Sequence, residues 1–118
     1  MAVNSRKKGK RGELALVHEL QKYGYETKRS VQYCGADGDA DVVGMSELIH
    51  IECKVTDNGH GKTYEWMEQA QSDAREGEIP VVMHRRSSQR VKGKPWLVTL
   101  SMDDFIRIWK YFEKEWKE

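Results

Sequence analysis

Leu48-Ile49-His50-Ile51-Glu52-Cys53-Lys54-Val55 reads as a β-strand, and a shorter apolar run, Asp41-Val42-Val43-Gly44, stands just before it. Ser46 and Glu47 between them suit a turn, so the two runs are expected to pair as a hairpin. Side chains alternate across a strand. Glu52 and Lys54 therefore share one face with His50, while Ile49, Ile51 and Cys53 share the other. Antiparallel pairing would bring Asp41, at the start of one strand, close to Glu52, toward the end of its partner.

Working outward from this hairpin, Gly12 to Tyr23 carries Leu14, Val17 and Leu20 at helical spacing with Leu16 beside them, and Gly24 follows as a stop. Residues 25 to 33 suit a strand exposed on one face, and Gly35 to Asp39 a loop that delivers Asp41. After the glycine-rich Asp57-Asn58-Gly59-His60-Gly61, a second helix is expected over Thr63 to Arg75, with Thr63 as N-cap, Gly77 past its end and Trp66, Met67, Ala70 and Ala74 as its apolar stripe. Ile79 to Met83 and Trp96 to Leu100 read as strands joined by a polar, basic segment. A last helix begins after Ser101, with Phe105, Ile108, Trp109, Phe112 and Trp116 on one side. That row reads first as core, with a shared subunit surface as the alternative. The order is αβββαββα, in an α/β class.

The 118 residues suit one domain, 1–118, in which 1–11 form a basic N-terminal arm free to move. Charged residues make up 33% and hydrophobic ones 38%, and no apolar run approaches the roughly 18 residues of a membrane span. A soluble, non-membrane protein is expected. The basic start lacks the apolar stretch of a secretory signal, so the cytoplasm is the expected location, and Cys34 and Cys53 are read as reduced thiols. A net charge of +1 would by itself argue against a polyanion partner, but the distribution is uneven. Arg6, Lys7, Lys8, Lys10 and Arg11 form one basic cluster, and Arg85, Arg86, Arg90, Lys92 and Lys94 a second. Either can follow a DNA backbone or simply be solvated surface.

Two carboxylates on neighbouring strands can hold a hard divalent cation such as Mg²⁺, which polarises a phosphodiester and lowers the pKa of an attacking water. On that reading Asp41 and Glu52 are metal ligands and catalytic, and Lys54 orients the water and offsets charge growing on the phosphate. An isolated Glu-x-Lys is usually a solvated charge pair. Here the strand is otherwise largely apolar, an aspartate opens the strand before it, and Glu13 lies on an earlier helix. Glu13 also suits a first-turn glutamate placed by the helix dipole. Asp37, Asp39 and Asp41 do not make an EF-hand, because Val42 and Leu48 stand where glycine and glutamate are needed. Cys34, His50, Cys53 and His60 repeat no zinc spacing, and His84 and His18 read as structural or surface residues.

Glu13 in Lys10-Arg11-Gly12-Glu13, Asp41 in Ala40-Asp41-Val42-Val43-Gly44 and the Glu52-Cys53-Lys54 tripeptide together resemble the PD-(D/E)XK nuclease superfamily, most closely its Holliday junction resolvase branch of archaea and phages. The resemblance covers roughly residues 9 to 101, and the helix Tyr64 to Gln71 before Pro80 is similar to phage-type members. Ala40 stands where the superfamily's name has proline, and residues 34 to 40 lack the serine that archaeal resolvases carry before the aspartate. The resemblance implies a restriction-endonuclease-like αβββαβ core with a mixed central sheet, to which an extra strand and the C-terminal helix are added. It implies a metal-dependent DNA endonuclease that resolves four-way (Holliday) junctions as a homodimer, in the host cytoplasm if phage-encoded. Asp41, Glu52 and the Cys53 carbonyl would bind Mg²⁺, with Mn²⁺ as substitute; Glu13 would assist, and Lys54 would complete the catalytic set. DNA, preferably branched, would be held by the basic residues 6–11, by Gln69 and by Arg85, Arg86 and Arg90. A nuclease for nicks, flaps or ends, and a non-catalytic DNA-binding module, are the alternatives.

Overall fold

The computed structural model describes residues 5–30, 40–58, 60–87 and 95–117, with the side chains of 5–8, 60 and 117 left aside. Helix α1 spans Ser5–Gln21, followed by strands β1 (Lys28–Arg29), β2 (Val42–Val43) and β3 (Ile49–Val55), helix α2 (Thr63–Asp73), strands β4 (Ile79–Arg85) and β5 (Leu97–Thr99), and helix α3 (Met102–Lys117). The expected αβββαββα order is the one observed, with a short 3-10 turn, His60–Lys62, added ahead of α2.

The five strands form one mixed sheet in the order β1-β2-β3-β4-β5. The hairpin is confirmed: β2 and β3 are antiparallel with Val42 opposite Ile51. Central β3 then runs parallel to β4, and β4 antiparallel to β5. The β3–β4 register sets Glu52 beside Val82 and Lys54 beside His84, on the same face. Because β4 runs in the same direction as β3, the chain between them must cross over, and α2 lies in that crossover.

Each sheet face is covered by one helix. Leu16, Val17 and Leu20 of α1 pack with Val42, Ile51, Val81 and Met83. Trp66, Met67 and Ala70 of α2 pack on Val82 from the other side. The alternation expected along β3 therefore holds: Ile51 faces α1, and the His50 and Glu52 face is turned toward α2. Gly12 is what allows α1 so close, since a Cβ there would lie 3.1 Å from the Cβ of Val55.

Several boundaries differ from expectation. Helix α1 starts at Ser5 rather than Gly12, so the basic run 6–11 lies within its first turns. Leu14 is left exposed, because the sheet-facing stripe is Leu16, Val17 and Leu20. Thr63 is the first helical residue of α2 and not its cap; Lys62 holds that place with no side-chain cap bond. On α3 the N-cap is as expected, the amide of Asp104 donating to Ser101 Oγ at 3.2 Å. Its aromatic row is not core: Phe105, Ile108, Trp109, Phe112 and Trp116 are all exposed in the single chain. Residues 31–39, with Cys34, Asp37 and Asp39, and the segment 88–94, with Arg90, Lys92 and Lys94, lie outside the described residues.

Candidate active site

Glu52 reaches the site from the middle of β3, where α2 covers it and leaves it only 2% exposed. Asp41 arrives from the other direction. Its amide donates to the Ile51 carbonyl at 2.9 Å, which extends the hairpin by one residue, and its side chain turns back so that Oδ2 accepts from the Cys53 amide at 2.8 Å. One acid thus belongs to the strand and the other to the strand's entry.

Glu13 comes from the opposite layer. It lies one turn before Val17 on the sheet-facing side of α1, well inside the helix, so the reading of Glu13 as a first-turn residue favoured by the dipole does not hold. Arg29 of β1 donates to its Oε1 at 2.8 Å. Lys54, two residues beyond Glu52, donates through Nζ to Oε1 of Gln69 on α2 at 3.3 Å. Glu13, Asp41, Glu52, Cys53, Lys54 and Gln69 all line one cavity of about 610 Å³.

The electrostatics of this cavity favour a cation. Burial first, then the negative charge of Glu52, push Asp41 up from the usual 3.8 to about 7, against the hydrogen bond from the Cys53 amide, while Glu13 adds to the rise. Carboxylates crowded in a partly desolvated site resist joint ionisation until a positive charge joins them. Their oxygens, with the nearby Cys53 carbonyl, are the hard donors that Mg²⁺ or Mn²⁺ accepts. The donor set fits such an ion. Burial and the neighbouring acids also push the Cys53 thiol well above its ordinary range, so it is a packed side chain and not a nucleophile.

The basic residues are distributed less uniformly. Lys10 and Arg11 are exposed on α1. Arg6, Lys7 and Lys8 fall on the first turns of the same helix, where only the backbone is described. Gly9 lines the cavity, so this basic end of α1 lies beside it. Arg86 is exposed and donates to the Asp57 carbonyl at 3.0 Å, while Arg85 is half-buried with its guanidinium 5.0 Å from the ring centre of Trp96. Arg85 is thus engaged in packing, and Arg90 lies outside the described residues. His84 is structural: it is buried, 2.8 Å from Thr99 Oγ1 and 5.5 Å from the Trp66 ring.

Two groups at the site carry no role in the sequence reading. Lys62 and Asn58 line the cavity from the segment before α2, but nothing in a polar loop says which way it folds back. His50 stands behind Glu52, with Nε2 2.9 Å from its Oε1. Its place on the Glu52 face was readable from alternation, but not the carboxylates of Asp73 and Glu78 near its ring.

The sequence model of a family described as "Phage putative PDDEXK endonuclease" matches residues 4–117. The chain belongs to that phage PDDEXK endonuclease family. It is therefore a nuclease of PDDEXK type, a class that depends on metal. No curated protein matches the sequence. Among solved structures, the chain is similar to Hjc of Archaeoglobus fulgidus, a Holliday junction resolvase from an archaeal hyperthermophile. The two share 22% identity and a TM-score of 0.54 over 79% of this chain and 72% of that one. The likeness confirms a restriction-endonuclease-like fold for this PDDEXK nuclease, with its mixed sheet between helices.

Proposed function

We propose that this nuclease is a metal-dependent, structure-selective DNA endonuclease that resolves four-way junctions by paired phosphodiester hydrolysis. The observation that carries the reading is the meeting of Asp41, Glu52, Glu13 and Lys54 at one cavity, with the Asp41 carboxyl held near neutrality until a cation arrives. Asp41, Glu52 and the Cys53 carbonyl would hold Mg²⁺, or Mn²⁺ in its place, with Glu13 assisting. When bound, the ion supplies Lewis-acid polarisation of the phosphate and a water of lowered pKa.

The chain's own residues do the rest. Asp41 gives up its proton as the ion binds, because the added positive charge removes the reason for its raised pKa. Lys54, held toward the cavity by its bond to Gln69, orients the attacking water and places its ammonium where charge grows on the phosphate. Glu13, paired with Arg29 at 2.8 Å, would assist from the α1 side. Lys10, Arg11 and the rest of the 6–11 cluster, together with Gln69, Arg86 and the second basic segment, would hold DNA by its backbone, a mode that reads shape and charge rather than bases.

Preference for a four-way junction is supported by the fold shared with the archaeal resolvase and by the α3 aromatic row, an apolar surface that a second copy can cover to give two active sites. The test is to incubate the protein with a synthetic four-way junction and with linear duplex of the same sequence, with and without Mg²⁺. Symmetric, Mg²⁺-dependent nicking of the junction alone is the expected result. Cleavage of the duplex as well would move the protein to a broader nuclease role, and binding of DNA with no cleavage would overturn the enzymatic reading.

A further inference from the structure

Glu52 sits deep in the fold, and a glutamate carboxylate can turn about its last torsion unless something holds it. His50 is placed to do so. It precedes Glu52 by two residues on the same face of β3, and its side chain is 1% exposed against 3% for Glu52. Its Nε2 lies 2.9 Å from Oε1 of Glu52. A carboxylate oxygen can only accept, so the proton of this bond belongs to the imidazole. On the other side of the ring Nδ1 is 3.9 Å from Oε1 of Glu78, which sits just ahead of β4. Asp73, at the end of α2, closes the group: ligand-type atoms of His50, Glu52 and Asp73 lie within 4.8 Å of one another. Two polar groups buried this deeply would be costly unless paired, and an apolar pair would pack there at less cost. Nothing in the hydrolysis described above uses His50.

We propose that His50 is a positioning residue for the metal centre. Its Nε2–H anchors Oε1 of Glu52 and so presents Oε2, in one orientation, to the cavity shared with Asp41; Glu78 and Asp73 steady the imidazole from behind. The proposal rests on Asp41 and Glu52 being metal ligands. Outer partners of this type, which orient a ligand without touching the ion, commonly govern metal affinity by about ten- to a hundredfold.

The test is a Mn²⁺ titration of the full chain, followed by electron paramagnetic resonance of free and bound ion, on wild type, Asp41→Asn, His50→Phe and His50→Gln. Circular dichroism confirms that each is folded, and His50→Leu replaces His50→Phe if the latter is not. Expected are binding by wild type, loss of binding in Asp41→Asn, affinity at least about tenfold weaker in His50→Phe, and recovery to within a few-fold in His50→Gln, which keeps an N–H donor. The KM for DNA should stay unchanged in His50→Phe while kcat recovers at high Mn²⁺. Folded His50→Phe or His50→Leu binding Mn²⁺ as tightly as wild type would overturn the proposal and leave the metal centre standing. Nitrogen coupling to Mn²⁺ in wild type that vanishes in His50→Phe would also overturn it, by making His50 a ligand. Absence of Mn²⁺ binding in wild type would instead remove the metal-centre reading beneath it.

Discussion

At the residue, the competing demands on Asp41 and Lys54 decide what this site can do. Lys54 supplies the one ammonium that shares the Glu52 face of β3, so Lys54→Ala should reduce cleavage by roughly a hundred- to a thousandfold, the usual cost of removing one donor from developing charge. Junction affinity in a gel-shift assay should change little, and a parallel loss of binding would assign Lys54 to DNA contact instead. Asp41 makes a pH prediction. Its carboxyl titrates at about 7 in the folded, metal-free protein and at 3.8 when unexposed to these neighbours. Between those values the folded state holds a proton that the unfolded state has released, so stability falls as pH rises through that window. In chelator, the thermal midpoint should drop between pH 5 and pH 8, and Asp41→Asn should flatten the decline. Excess Mg²⁺ should restore the midpoint most at the upper end, where the ion no longer competes with the proton. A variant that tracks wild type at every pH would show that Asp41 is not the group responsible.

At the level of elements, legibility follows how local the determining physics is. The β3 faces could be read because alternation is fixed by strand geometry, and this alone grouped His50, Glu52 and Lys54. The hairpin with Asp41 could be read because only a few turn residues separate the strands. The start of α1 could not, because Arg6 to Arg11 show no apolar spacing and Gly9 and Gly12 look like breaks. Gly12 in fact serves the close approach to Val55. Thr63 looked like a cap by residue type, yet the 3-10 turn ahead of it shifts the boundary by one residue. Arg85 looked like a DNA contact, but its partner Trp96 is reached only through the β4–β5 pairing. Gly44 shows the same dependence on distant chain. It has φ +104°, and a Cβ there would run into the Glu26 carbonyl and lie 3.0 Å from the Thr27 Cα. Gly44→Ala should therefore lower unfolding free energy in urea by about 2–4 kcal/mol, combining left-handed strain with overpacking. Gly77→Ala, with φ +90° and open space around it, should cost only about 1 kcal/mol. Equal losses at the two sites would mean that the Glu26 contact is relieved without cost.

For the whole molecule, the open question posed by the sequence was what covers the aromatic row of α3, since periodicity locates a stripe without naming its cover. Among the described residues nothing covers it fully: Phe105, Trp109 and Phe112 are each 46% exposed and Trp116 77%. The rings instead stack along the helix, with Trp109 and Phe112 centroids 5.3 Å apart and Phe112 and Trp116 5.6 Å apart. A continuous row of this kind marks an interaction surface rather than scattered exposure. A second copy is the occupant that also serves the proposed chemistry, because one active site cuts one strand and a junction needs two opposed cuts. A two-fold pairing of α3 rows would bury these rings against their own counterparts. Light scattering should then give a dimer for wild type and a monomer for the double variant Trp109→Glu, Phe112→Glu. The core should survive in the variant, because the sheet is packed by α1 and α2 and these side chains stay outside both clusters. On a four-way junction closed on a plasmid cruciform, wild type should release linear product directly, while the variant should accumulate nicked circles at a lower rate. A monomeric wild type that still makes paired cuts, or a double variant that remains dimeric, would place the partner surface elsewhere on the molecule.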